Sequence, residues 1–216
     1  MLTKIHSPQL GTRRPVLWAL TSGTVGLLAN VLLVLFFLLA RPFSPVQNNF
    51  GWLGTANDWM IIVQFLTMIP VALALRRRLP PTRAARVVTA VAVVAMLAVA
   101  VLQLLLITGA LGFDVQVILV VAAFLPVYAW VFIVSSIGHR LGALPRSVTR
   151  FGLLLGASFP LGLLIMASGL LLGASPVLLA WVAAVGWLAL PVWPLVLARL
   201  VFSKPALLNS NEEGLL

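Results

Sequence analysis

The sequence predicts an all-α, polytopic integral membrane protein, one domain of six transmembrane helices arranged as three hairpins. Three observations predict it. The composition is 62% hydrophobic and 8% charged, whereas a soluble domain carries roughly 25% charged residues because its surface needs them. Six apolar stretches divide the chain, each close to the roughly 20 residues that cross about 30 Å of hydrocarbon. Lys and Arg, finally, collect in alternate gaps between those stretches, as positive-inside topology requires.

The expected spans are 16–40, 58–75, 87–111, 115–137, 151–173 and 176–201, followed by a short polar tail, 204–216. Thr12-Arg13-Arg14 ahead of the first span faintly resembles a twin-arginine signal. Its apolar run of 25 residues greatly exceeds the roughly 7–15 of a signal core, and no small-residue cleavage site follows. The first span is therefore read as a retained helix. The second is the shortest, and is expected to stand nearly upright or to begin within the interface.

The basic residues orient the bundle. Lys4, Arg13 and Arg14 precede the first span; Arg76, Arg77, Arg78, Arg83 and Arg86 lie between the second and third; Arg140, Arg146 and Arg150 lie between the fourth and fifth; Arg199 and Lys204 close the chain. Only Arg41 falls in the other set of gaps. Both termini are therefore expected in the cytoplasm. Twelve Arg against two Lys, with abundant Ala, Val, Leu and Gly, suggest a GC-rich bacterial genome and hence an inner membrane. The net charge of +10 sits in short loops flanking apolar spans, which argues for topology and against nucleic acid as a partner.

The outward starts of the second, fourth and sixth helices read Asn57-Asp58, Asp114 and Ser175-Pro176. These are N-cap residues, with Pro suited to the first helical position. Capping accounts for Asp58 and Asp114 more simply than an external cation or proton site. The first outer loop, 41–57, mixes aromatic residues (Phe43, Phe50, Trp52) with Gly and Asn, as suits an anchor at headgroup level.

A weak threefold internal repeat is one reading of the pattern, against the simpler one that Pro is common in membrane helices and Thr-Arg suits any cytoplasmic helix start. Thr-Arg marks the start of each ascending helix (Thr12-Arg13, Thr82-Arg83, Thr149-Arg150), and each descending helix carries an aliphatic-Pro-Val triplet around Pro70, Pro126 and Pro191. Proline removes a backbone hydrogen bond and kinks a helix, so three kinked return helices are expected to surround a shared axis.

Few residues are equipped for catalysis. His6 and His139 both fall in expected cytoplasmic segments, Cys is absent, and no span carries a His or Lys to activate a nucleophile. No metal-ligand spacing, haem-type His pair or Gly-rich phosphate loop is present. The expectation is no enzyme, no cofactor and no metal.

The midplane carries no ionisable group of the kind ion-coupled transport uses. The spans do carry the polar residues Asn30, Gln64, Gln103 and Tyr128, with Asn30 and Tyr128 close to the midplane; these would either line a polar pocket for a small neutral solute or act as interhelical hydrogen bonds. Gly152, Gly156, Gly169 and Gly173 on the fifth helix, and Ala90, Ala92, Ala95, Ala98 and Ala100 on the third, are expected to bring helices into close contact. Arg76, Arg77, Arg78, Arg83 and Arg86 form a basic loop facing anionic lipid headgroups. The favoured function is a non-catalytic membrane component that packs with or assists other membrane proteins, or with copies of itself. The alternative is a small permease or channel lined by Asn30, Gln64, Gln103 and Tyr128.

Overall fold

A computed structural model describes residues 10–40, 49–173 and 185–203. Among these residues every regular element is helical, and six helices are long and apolar enough to cross a membrane. They are α1 (Leu10–Leu35), extended by a π-helical turn Phe36–Ala40; α2 (Trp52–Arg78); α3 (Arg83–Ile107); α4 (Phe113–Arg140); α5 (Arg146–Leu171); and α6, the span Val185–Phe202. The chain is a multi-pass membrane protein.

Leu, Val and Ala runs favour helix, because lipid offers backbone groups no partner and a helix satisfies them internally. The stops are local. Leu79-Pro80-Pro81 ends α2, since proline lacks the N–H that would continue it. Gly109 (φ 72°) and Gly142 (φ 61°) turn the chain after α3 and α4 in a left-handed conformation that costs other residues more.

Successive helices pack on one another from α1 to α5, and α6 returns against α1. Half of the described α6 span is buried, the largest share of the six and against about a fifth of α1. The Trp187 ring of α6 meets Phe124 of α4 edge to face at 4.5 Å. Phe124 also touches Phe65 of α2 and Phe159 of α5. Lower in the bundle Trp130 and Trp193, both fully buried, cross at 5.2 Å and 88°. Outward faces carry Leu17, Val94, Ile118, Leu154 and Leu164, all exposed, which suits hydrocarbon and not water.

Several expectations need correction. The second helix is not short: it starts at Trp52 and runs 27 residues, because buried Leu53 is drawn into the fold and Gly51 serves as N-cap. Asn57 and Asp58 therefore lie inside α2 and cap nothing. Gly112 takes the cap position of α4, leaving Asp114 in its first turn, where a carboxylate still meets the positive helix end. Of the Thr-Arg pairs only Thr82 caps a helix, its Oγ accepting the Ala85 N–H at 3.1 Å; Thr12 lies within α1 and Thr149 within α5. The three prolines also behave differently. Helices α2 and α4 run unbroken through Pro70 and Pro126, whereas α6 is interrupted by a turn at Leu190-Pro191. The α2–α3 and α4–α5 contacts are as extensive as those inside the α3–α4 hairpin. Ser175-Pro176, residues 41–48 of the first outer loop and the polar tail lie outside the described residues.

Candidate functional site around the broken sixth helix

Two prolines, Pro191 and Pro194, stand three residues apart in α6. The break between its two halves follows. The Leu190 N–H turns back to Trp187 O at 3.1 Å, and the Trp193 N–H to Leu190 O at 3.2 Å. The ordinary i→i−4 pattern would have delivered the Leu190 N–H to Gly186 and the Val192 N–H to Leu188. The carbonyls of Gly186 and Leu188 are thus released inside the membrane, where an unsatisfied polar group is costly.

Side chains from other helices take them up. Tyr128 Oη of α4 donates to Gly186 O at 2.8 Å. Asn30 Nδ2 of α1 donates to Leu188 O at 2.9 Å. Tyr128 is 1% exposed and stacks on Phe159 at 4.7 Å and 17°, so its hydroxyl has a fixed aim. Glycines allow this approach. A Cβ on Gly26 would lie 2.7 Å from Pro191 Cγ and 2.6 Å from the Gln64 amide carbon, and one on Gly186 would meet Ser158 Oγ at 2.9 Å.

Gln64 of α2 completes the junction. Its backbone carbonyl accepts from Ser22 Oγ and Thr67 Oγ1, each at 3.0 Å. Its side chain is buried beside Gly26, and its amide makes no hydrogen bond among the described residues. Gln103 lies elsewhere: its Oε1 accepts from Gln116 Nε2 at 2.8 Å across the α3–α4 interface, both residues being buried. The four polar residues singled out in the sequence therefore divide. Asn30, Gln64 and Tyr128 gather around α6, and Gln103 pairs near the α3–α4 turn.

No family model, curated protein or solved structure matches this chain.

The expected packing glycines also divide. A Cβ on Gly156 would sit 2.6 Å from the Phe132 backbone nitrogen, and one on Gly152 would collide with Ser135 Oγ. Both glycines hold α5 against α4. Gly173 instead follows α5 at φ 75°, with no described residue within 4 Å of a Cβ placed there, so it turns the chain and packs against no described helix. Around Gly152 the Ser135 Oγ and Trp193 Nε1 are buried without a hydrogen-bond partner among the described residues, as is Trp130 Nε1 nearby.

Gln116 was missed in the sequence because it follows Asp114 at a helix start and reads as an exposed end. The Gly186 and Leu188 carbonyls are backbone groups with no side-chain signature; the pair Pro191 and Pro194 was their only signal. Among the described residues no three of His, Asp and Glu come together to hold a metal ion. His139 is exposed near the end of α4.

The basic loop forms the second candidate feature. Arg76, Arg77 and Arg86 line an open cleft of about 450 Å³ at the α2–α3 turn. Arg78 is used differently, donating from Nη1 to Val201 O at 2.6 Å with its guanidinium 5.5 Å from the centre of the Phe202 ring. It ties the end of α2 to the end of α6.

Proposed function

We propose that this chain is a non-catalytic component of a bacterial inner membrane, with both termini in the cytoplasm, that packs with or assists other membrane proteins. One observation carries the reading: Asn30 and Tyr128, polar groups within the spans, hold the chain's own broken helix. Interhelical hydrogen bonds of this kind are worth about 0.6–2 kcal/mol each and hold a fold without any substrate. The alternation of basic residues along the chain supports the orientation. Since Gly152 and Gly156 are occupied by α4, a partner would meet the outward aliphatic faces and the polar ends of the helices.

The test is gentle extraction of the tagged protein followed by native mass spectrometry. Stoichiometric co-purification of another membrane protein is the expected result. A lone monomer or homo-oligomer carrying a small solute would overturn it. A C-terminal reporter that matures only in the cytoplasm tests the orientation.

A second reading, a permease for a small neutral solute, is favoured by Gln64 alone. Its amide lies beside an interrupted helix and makes no hydrogen bond among the described residues, and interrupted helices form the binding sites of many transporters. Solute flux into proteoliposomes that falls on Gln64→Met, with the fold intact, would establish it.

A further inference from the structure

We propose that the cleft at the α2–α3 turn is a stoichiometric binding site for the phosphate of an anionic phospholipid. The inference rests on α2 and α3 spanning the membrane and not on the partner reading, so either can fail alone.

The walls of the cleft are built before any ligand arrives. Pro80 and Pro81 fix two backbone φ angles in the turn. The Thr82 N–H donates to Pro80 O at 2.7 Å while the Thr82 side chain caps α3. A turn held in this way loses little entropy when an anion docks. Arg76 and Arg77 enter from the last turn of α2 and Arg86 from the first turn of α3. Among the described residues no acid lines the cleft. Three like charges on a short turn repel one another, and an anion between them relieves that repulsion. A guanidinium presents a planar fork of donors that matches a phosphate in two parallel bonds. The start of α3 adds its positive end.

A lipid fits better than a free anion because the cleft is amphipathic. Leu73, one turn further along α2, lines the same cleft and is 39% exposed, so an acyl chain can lie along it while the phosphate meets the arginines. A general basic surface would use all five arginines equally. This one does not: Arg78 is bound to the end of α6, and Arg83 does not line the cleft.

The experiment is native mass spectrometry of the full-length protein in mild detergent, titrated with phosphatidylglycerol, phosphatidylcholine or inorganic phosphate. The wild type should hold one phosphatidylglycerol in preference to phosphatidylcholine, and inorganic phosphate should not displace it. The triple variant R76Q/R77Q/R86Q should lose roughly a hundredfold in affinity, as three contacts of the usual strength for a basic side chain at an anionic surface imply. The charge-matched variant R83Q/R140Q/R150Q should retain binding. Equal losses in both variants, or no preference between the lipids, would overturn the site. Displacement by millimolar inorganic phosphate would overturn the lipid as its ligand. Should the triple variant not fold, arginine modification by phenylglyoxal in the wild type decides: phosphatidylglycerol should protect Arg76, Arg77 and Arg86 but not Arg83, and uniform protection sinks the proposal.

Discussion

The hydroxyl of Tyr128 on α4 donates to the backbone carbonyl of Gly186 on α6 at 2.8 Å, joining residues 58 positions apart in the chain. A side chain here replaces the helical hydrogen bond that the bend ahead of Pro191 removes. The Phe159 ring stacked on Tyr128 fixes the direction of the donor. Tyr128→Phe keeps the stack and removes only the donor. It should cost about 1–2 kcal/mol, the cost of stranding a buried carbonyl, read as a lower unfolding midpoint in detergent. Asn30→Leu should cost a similar amount through Leu188 O. If both variants were as stable as the wild type, the break would not depend on these bonds.

Gly156 and Gly152 should differ in their tolerance of a methyl group. At Gly156 the obstacle is the Phe132 backbone, which cannot swing aside. Gly156→Ala should therefore push α4 and α5 apart at about 2–3 kcal/mol, in the upper range for overpacking. At Gly152 the first obstacle is the Ser135 hydroxyl. Gly152→Ala should be partly rescued by Ser135→Ala, giving a favourable coupling in a double-mutant cycle. Purely additive effects would place the two residues out of contact.

The Gln103–Gln116 pair makes a separate prediction. Either Gln→Leu change alone leaves the partner amide buried without its bond, at a cost of about 1–3 kcal/mol. Both together replace a polar contact by an apolar one between α3 and α4 and should recover most of the loss. Thermal unfolding of the two singles and the double in one detergent reads this directly. A double variant worse than either single would mean that the pair serves more than packing.

Gln64 should respond in the opposite sense. Because its amide makes no hydrogen bond among the described residues and keeps some exposure, Gln64→Met substitutes an apolar side chain of similar length without breaking a bond. Stability should hold or rise by about 1 kcal/mol. A clear loss of stability would reveal a hydrogen bond made in the membrane. Unchanged stability with loss of solute flux would favour the permease.

Much of the architecture was legible because lipid imposes simple demands. A span needs length and apolar character, both one-dimensional properties of sequence, so six spans could be counted directly from the chain. Helix starts were less legible. Asp58 resembles a cap by residue type, yet Leu53, buried at 3% exposure, draws the helix back to Trp52. Cap preference is worth only about 1 kcal/mol, and burying a leucine outweighs it.

The sequence by itself determined the class of molecule, the number of spans and the alternation of charge along the chain, because each follows from the solvent around the helices. Only the tertiary structure decided how Asn30, Gln64, Gln103 and Tyr128 were used, which arginines share a cleft, and which prolines interrupt a helix. Pro70, Pro126 and Pro191 sit in similar triplets, but a released carbonyl is tolerated where a neighbouring donor reaches it. That depends on which helices stand side by side: Tyr128 reaches Gly186, and Asn30 reaches Leu188, because the described part of α6 packs against α1 and α4.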